Sequence, residues 1–170
     1  MKFDHFKMLV DRMFVPDGNG GALQRYGSVD TKTLHPLVLA YIGDAYFHLF
    51  VRGRLLSYEQ GKVQALHQFG AQMVSAVWQA RAWRGIEPML TEEERAIFRR
   101  GRNAKSHTTS RATVAEYHAS TGFEALLGTL YLREENERLY EVAEAAFQVI
   151  SREMMEDRNR GSKGNADEME

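Results

Sequence analysis

One stretch of this chain limits its possible folds more than any other. From about Thr33 to Leu56 the sequence is apolar on nearly every side of a helix, and it carries Leu37, Val38, Ile42, Phe47, Leu49, Phe50 and Val51. A helix that is apolar all round is normally buried inside a larger assembly. The stretch therefore predicts a central, buried helix, around which the rest of the chain must pack.

Other segments carry apolar residues at helical spacing as well. Amphipathic helices are predicted over residues 3–14, 62–83, 112–133 and 136–154, and a fifth begins after Thr91 and runs to about Arg100. Thr121-Gly122 would allow a break in the 112–133 helix. No alternating strand pattern bounded by hairpin turns is present, so the expected fold class is all-α.

The chain divides into three parts by composition. Residues 1–30 read as an N-terminal extension, a short helix followed by a glycine-rich loop, and residues 31–156 as one helical domain. The segment 157–170 is polar and contains glycine, which predicts a disordered tail.

Composition and charge narrow the class of protein. The chain has no cysteine, which excludes disulfides and thiolate metal sites. No apolar run is long enough to span a membrane, and Asp4 and Asp11 argue against a leader peptide, so a cytoplasmic location is expected. The net charge of −1 conceals a basic middle, because residues 45–115 hold eleven bases and five acids.

Asp44 is the first candidate for chemistry. It is a carboxylate inside the apolar helix, where burial is costly unless the group is paired or binds a metal. Gly43 beside it costs roughly 1 kcal/mol relative to alanine in a helix interior, which indicates close backbone approach. The alternative is a structural ion pair with His48 or Arg52, one or two turns further on.

Glu124 is the second candidate, and it also has a structural alternative. The motif Thr121-Gly122-Phe123-Glu124 precedes an apolar run. Thr-x-x-Glu in that position is the signature of a capping box, in which the glutamate only satisfies a backbone N–H. The motif alone favours that structural role.

A basic segment connects the two regions. Residues 95–111 hold Arg95, Arg99, Arg100, Arg102, Lys105 and Arg111, with no acid between Glu94 and Glu116. We expect an irregular basic loop from Gly101 to Arg111. Guanidinium groups match phosphate oxygens, so the segment is a candidate for binding nucleic acid, although a solvated basic loop would look the same.

Taken together, these motifs resemble those of a known family. LHPLVLAYIGDAYFHLFVRGRL (34–55) resembles the signature helix of Mini-ribonuclease III, and GRNAKS (101–106) with STGFEALLGTLYL (120–132) resembles that family's second half. The resemblance covers roughly residues 31–150. It implies a ribonuclease III catalytic domain without a double-stranded-RNA-binding domain, and nothing after about residue 154 looks able to form one.

The resemblance also implies an activity. It suggests a two-fold, all-helical homodimer that uses Mg²⁺ to hydrolyse double-stranded RNA and trims the ends of precursor 23S ribosomal RNA, with a ribosomal protein as a possible helper. Asp44 and Glu124 match the family's essential carboxylates and would ligate Mg²⁺. The RNA-binding residues would be Arg99, Arg100, Arg102, Asn103, Lys105 and Ser106.

Two positions depart from full-length ribonuclease III. That larger family has a glutamate four residues before the helix aspartate and an aspartate three before the second glutamate. Here those positions are Ala40 and Thr121, so two of the four carboxylates are absent, as they are in the Mini branch. The number of metal ions that the site binds is therefore left open.

Two other classes of protein remain as alternatives. One is a non-catalytic, ribosome-associated RNA-binding module of the same fold, against which the retention of both carboxylates argues. The other is a helical interaction protein that binds no nucleic acid, against which the basic segment argues.

Overall fold

The computed structural model describes residues 3–13, 15, 16, 18–21, 29–104 and 112–167, and it divides the chain into two compact units, Met1–Asp30 and Thr31–Glu170. The first unit contains helix α1 (Phe3–Met13). The described part of the chain contains no strand, and none of its helices is long and apolar enough to cross a membrane. The prediction of an all-α fold is confirmed.

The second unit contains the remaining helices. They are α2 (Pro36–Leu55), α3 (Val63–Met73), α4 (Ala76–Ile86), α5 (Glu92–Arg102), α6 (Val114–Leu132) and α7 (Asn136–Asp167), with a 3₁₀ turn at Glu87–Met89. Helix α6 is central, because its neighbours include α2, α4, α5 and α7. Phe47 of α2 and Phe123 of α6 meet edge to face at 5.1 Å between ring centroids, and both are fully buried.

Helix α2 is buried on one face only, which corrects the expectation of a helix buried on all sides. Leu39, Phe47 and Val51 are fully buried, whereas Tyr41 and Leu49 are 76% and 71% exposed. Helix α6 packs on the buried face, and among the described residues of the Thr31–Glu170 unit no helix covers Tyr41 and Leu49. The exposed side therefore presents apolar surface of the kind that subunit interfaces use.

The predicted helix over 62–83 is two helices. α3 ends at Met73 and α4 begins at Ala76. Ser75 has an extended backbone (φ −68°, ψ 153°), as an N-cap residue does, and its carbonyl accepts from Gln79 N at 2.9 Å. The apolar spacing continues across this point, so the sequence periodicity did not reveal the break.

Helix α7 continues through Asp167, whereas composition predicts a disordered tail from residue 157. Asp157 accepts a hydrogen bond from Arg81 of α4 at 2.7 Å and another from Arg160 at 2.7 Å. These contacts support the helix beyond its last apolar turn, and composition alone does not show them.

Candidate active site

A shallow, open cleft lies between α2 and α6 and contains both candidate carboxylates. It is lined by Leu37, Ala40, Tyr41 and Asp44 from α2 and by Tyr117, Thr121 and Glu124 from α6. Asp44 and Glu124 are eighty residues apart in sequence, and the packing of two helices brings them together.

Glycine allows these two helices to approach so closely. A methyl group on Gly43 would overlap the backbone carbonyl of Glu124, and one on Gly128 would overlap the carbonyl of Leu39. The two backbones are therefore in direct contact at the level of the carboxylates. The expectation that Gly43 permits close backbone approach is confirmed.

Asp44 lies at the open side of the cleft. Its side chain is 48% exposed, and Oδ1 lies 3.3 Å from Nε2 of His48 one turn further along α2. Of the two ion-pair partners considered from the sequence, His48 is the one that forms the contact. An exposed contact of this kind contributes little to stability.

Glu124 does not cap a helix. Helix α6 begins at Val114, and its capping box consists of Thr113 and Glu116, whose backbone N–H groups bond to the reciprocal side chains at 2.9 and 3.2 Å. Thr121 lies within the helix, where its hydroxyl donates to the Tyr117 carbonyl at 3.0 Å. The capping interpretation of Thr121 and Glu124 is therefore wrong, and α6 has no break there.

The surroundings of Glu124 oppose its ionisation. Burial, together with the nearby charge of Asp44, raises the pKa of the Glu124 carboxyl from 4.5 to about 8, and the Gln79 side chain partly offsets the rise. A carboxyl in this state binds a proton at neutral pH unless a cation takes the proton's place. The two neighbouring carboxylates therefore favour binding of a cation in the cleft, because a positive charge reduces the repulsion between them.

The donor set fits a hard cation held by few protein ligands. No group of three or more His, Cys, Asp or Glu side chains suited to a metal occurs among the described residues. Ala40 and Thr121 line the same cleft, so the positions that depart from full-length ribonuclease III lie at the site and contribute no carboxylate. Mg²⁺ retains several waters and is commonly bound by one or two carboxylates, which this pair can provide.

The predicted RNA-binding residues separate into three groups. Arg99 and Arg102 lie in the last turn of α5, which extends through Arg102, and Asn103 caps it; all three are exposed. Arg100 instead donates two hydrogen bonds of 2.8 Å to the carbonyls of Thr31 and Lys32.

Lys105 and Ser106 lie outside the described residues. Of the basic loop expected from Gly101 to Arg111, the part through Arg102 is helical and the part from 105 to 111 is not described.

The end of α5 packs on the part of α6 that carries Glu124. Gly101 packs so closely on α6 that a methyl group there would meet the Ala125 side chain and the backbone of Gly122. Ala125 follows Glu124 directly. Arg102 and Asn103 also line a second shallow cleft with His118 of α6.

Sequence reasoning missed three residues near the site. Tyr117 lies seven residues before Glu124 and so shares its helix face, a signal that helical spacing could have given. No signal in the sequence showed that His118 and Arg102 line the same cleft. Gln79 lies on α4 and reaches Glu124 only because of the tertiary packing.

Comparisons with known proteins agree with this geometry. The sequence profile of the Ribonuclease III domain matches residues 37–135, which includes both carboxylates and the end of α5. A crystal structure of a Fusobacterium nucleatum protein superposes with a TM-score of 0.64 at 28% identity, over 71% of this chain and 98% of that one.

Curated relatives point to one branch of that family. Mini-ribonuclease 3 of Symbiobacterium thermophilum is 50% identical over 121 residues, which are 71% of this chain and 93% of that protein. Mini-ribonuclease 3 of Clostridium tetani is 39% identical over 143 residues, 82% of this chain and 95% of that protein. With its two carboxylates in one cleft between α2 and α6, this chain belongs to the ribonuclease III domain family, in the Mini-ribonuclease 3 branch.

Proposed function

We propose that this endoribonuclease is a magnesium-dependent enzyme that hydrolyses phosphodiester bonds of double-stranded RNA and matures the ends of precursor 23S ribosomal RNA. The observation that supports it best is the convergence of Asp44 and Glu124, from two helices, in one open cleft, with the end of α5 packed on the same part of α6. An ordinary structural carboxylate pair would gain nothing from this arrangement, because the two acids repel each other.

Asp44 and Glu124 are the proposed ligands. They would hold Mg²⁺, whose chemistry when bound would be activation of water for attack on the phosphate and stabilisation of charge on the leaving 3′ oxygen. His48 orients the Asp44 carboxylate, and the contact of the α2 and α6 backbones fixes the spacing of the two ligands. The cleft is shallow, which suits a duplex backbone better than a small molecule.

RNA contacts are assigned to Arg99, Arg102 and Asn103, together with Lys105 and Ser106. A-form RNA hides its base edges in a narrow major groove, so proteins bind it through phosphates, 2′-hydroxyls and shape. Exposed arginines at the end of α5 provide such phosphate contacts. Arg100 has a different role, because its guanidinium fastens the Thr31–Lys32 segment to α5.

The proposed assembly is a two-fold homodimer that works in the cytoplasm. The exposed apolar side of α2 carries Val38, Tyr41 and Leu49, and the exposed Leu56 follows as its C-cap residue. A second copy would bury this surface and place two clefts on one duplex, one for each strand. A ribosomal protein could help to present the substrate, since residues 31–156 contain no separate RNA-binding domain.

Cleavage of a long double-stranded RNA by the purified chain tests the proposal. We expect cutting with Mg²⁺ and none with chelator, and no cutting by Asp44→Asn or Glu124→Gln variants that still bind RNA. If the wild type bound the duplex and left it intact at every Mg²⁺ concentration, the non-catalytic RNA-binding module would be the correct function.

A further inference from the structure

A second shallow cleft lies between the C-terminal end of α5 and the first turns of α6. Arg102, Asn103 and Ala104 line it on one side, and Ala115 and His118 of α6 line it on the other. No carboxylate lines the described part of this cleft, whereas the first cleft, between α2 and α6, contains two. The second cleft therefore favours an anion where the first favours a cation.

The cation in the second cleft has no competing partner. Arg102 is exposed, and among the described residues it forms no hydrogen bond or ion pair. Arg100, in contrast, is bonded to two backbone carbonyls, and Arg138 pairs with a glutamate. The one acid in the first turn of α6, Glu116, already accepts hydrogen bonds from the backbone N–H and the hydroxyl of Thr113. A guanidinium with free N–H groups is suited to hold phosphate oxygens.

Packing does not explain why residue 118 is a histidine. The ring is half-buried, and Nδ1 is buried without a hydrogen-bond partner among the described residues. An apolar side chain would avoid the cost of that unmet polar atom. Nε2 is the ring nitrogen that remains open to a ligand in the cleft. We assign the proton of the neutral ring to Nε2, because a buried acceptor without a partner is tolerated better than a buried N–H. His118 thus has a hydrogen bond to donate.

The second cleft adjoins the first along α6. Tyr117 lines the first cleft and His118, the next residue, lines the second, with 6.0 Å between their ring centroids. His118 precedes Glu124 by six residues, which is about 9 Å along a helix axis. A nucleic-acid strand carries a phosphate at every nucleotide. A strand with one phosphate at the carboxylates can therefore place another, a few nucleotides away, in the second cleft.

We propose that Arg102, Asn103 and His118 form a subsite for one backbone phosphate of the RNA, a few nucleotides from the bond that is cut. The inference rests on the proposed function and deepens it, since it makes His118 an RNA ligand and joins the three residues on one phosphate. Arg102 supplies the charge, and the imidazole and the amide supply N–H donors. Phosphate contacts of this kind fix the register of a duplex on a protein.

The test measures affinity for a double-stranded RNA in chelator, so that binding is separated from magnesium-dependent cleavage. The cut site of this RNA is first mapped with the wild type and Mg²⁺. His118→Phe keeps an aromatic ring and removes the N–H, whereas His118→Gln retains an amide N–H near the position of Nε2. His67→Phe is the matched control, because His67 is exposed on α3 and lines neither of the two clefts.

We expect His118→Phe to weaken RNA binding by about 10-fold, the effect of losing one hydrogen bond to a charged group. His118→Gln should recover most of the affinity, and His67→Phe should leave it unchanged. Combining Arg102→Ala with His118→Phe should cost less than the sum of the two single effects, because both side chains hold the same phosphate. A single neutral methylphosphonate a few nucleotides from the cut should weaken the wild type and leave His118→Phe unaffected.

Other outcomes would overturn the subsite. If His118→Phe bound RNA as tightly as the wild type while the wild type still cut the duplex, the subsite would be wrong and the proposed function would stand. Equal losses of affinity in His118→Gln and His118→Phe, together with lowered melting temperatures, would assign His118 a structural role instead. Strictly additive effects of Arg102→Ala and His118→Phe would show that the two residues bind different groups. A wild type that neither bound nor cut the duplex would refute the proposed function, and with it the subsite.

Discussion

Replacing Glu124 by glutamine tests the electrostatics of the cleft without any need for RNA. The change keeps the shape of the side chain and removes its ability to ionise. In the wild type the pKa of this carboxyl is about 8 in the folded chain, against 4.5 for the free group, because burial and then Asp44 disfavour the charge. The stability of the variant should therefore differ from that of the wild type only at pH values at which the wild-type carboxyl ionises in the folded chain.

The sign of the effect follows from proton linkage. A carboxyl whose pKa is raised on folding stabilises the fold below about pH 4.5, and this contribution disappears as the pH rises towards 8. Each pKa unit corresponds to about 1.4 kcal/mol, so ionising Glu124 in the metal-free fold costs up to about 5 kcal/mol. Because water reaches the open side of the cleft, we expect about 2–4 kcal/mol, or roughly 5–15 °C in melting temperature for a chain of this size.

Thermal melts in chelator from pH 5 to pH 9 measure this difference. Wild type and Glu124→Gln should melt alike at pH 5, and the variant should melt higher at pH 9. Mg²⁺ or Mn²⁺ at pH 8 should stabilise the wild type and leave the variant unchanged, since a cation relieves the repulsion with Asp44. If the melting temperatures of the wild type and of Glu124→Gln differed by the same amount at every pH, the raised pKa of Glu124 would be refuted.

Three further predictions follow from the packing and charge of the site. Gly43→Ala should destabilise the fold by about 3 kcal/mol or more, because the added methyl group forces the backbones of α2 and α6 apart; a denaturant titration that matches wild type would contradict the close approach. The double variant Arg99→Ala, Arg102→Ala should bind all RNA duplexes more weakly, with a smaller dependence of affinity on salt. Arg100→Ala should mainly lower the melting temperature. If filter-binding assays gave the wild type and the double variant equal salt slopes, these two arginines would be excluded as phosphate contacts. Leu49→Asp should give a monomer of about 19.5 kDa by light scattering where the wild type gives a dimer, and an unchanged mass would exclude this face as the subunit contact.

Much of the fold could be read from the sequence, because helices are encoded locally. Apolar spacing located α1, α2 and α6 to within a few residues. Thr91 with the glutamates after it marked the start of α5, where the structure contains a capping box. Asp44 stood out since a carboxylate in an apolar run is costly wherever it lies. The family resemblance added Glu124, and the same motif read by itself favoured a helix cap.

Other features depended on contacts between distant parts of the chain. Arg99 and Arg100 are adjacent in sequence, yet one is exposed and the other is tied to the carbonyls of Thr31 and Lys32. Whether an arginine points to solvent or to a carbonyl depends on what packs against its helix, and neighbouring sequence does not record that.

The sequence by itself determined most of the helices, though not the break between α3 and α4 or the end of α7, and it also determined the two candidate carboxylates and the need for glycine at position 43. Only the tertiary structure decided that Glu124 is no cap, that Gln79 of α4 reaches it, and that α2 keeps an apolar face exposed. Periodicity specifies which residues share a helix face, whereas the partner of that face is chosen by backbone approach and side-chain packing over the whole chain. The pKa of Glu124 is raised by burial and by Asp44 only after α2, α4 and α6 have packed together.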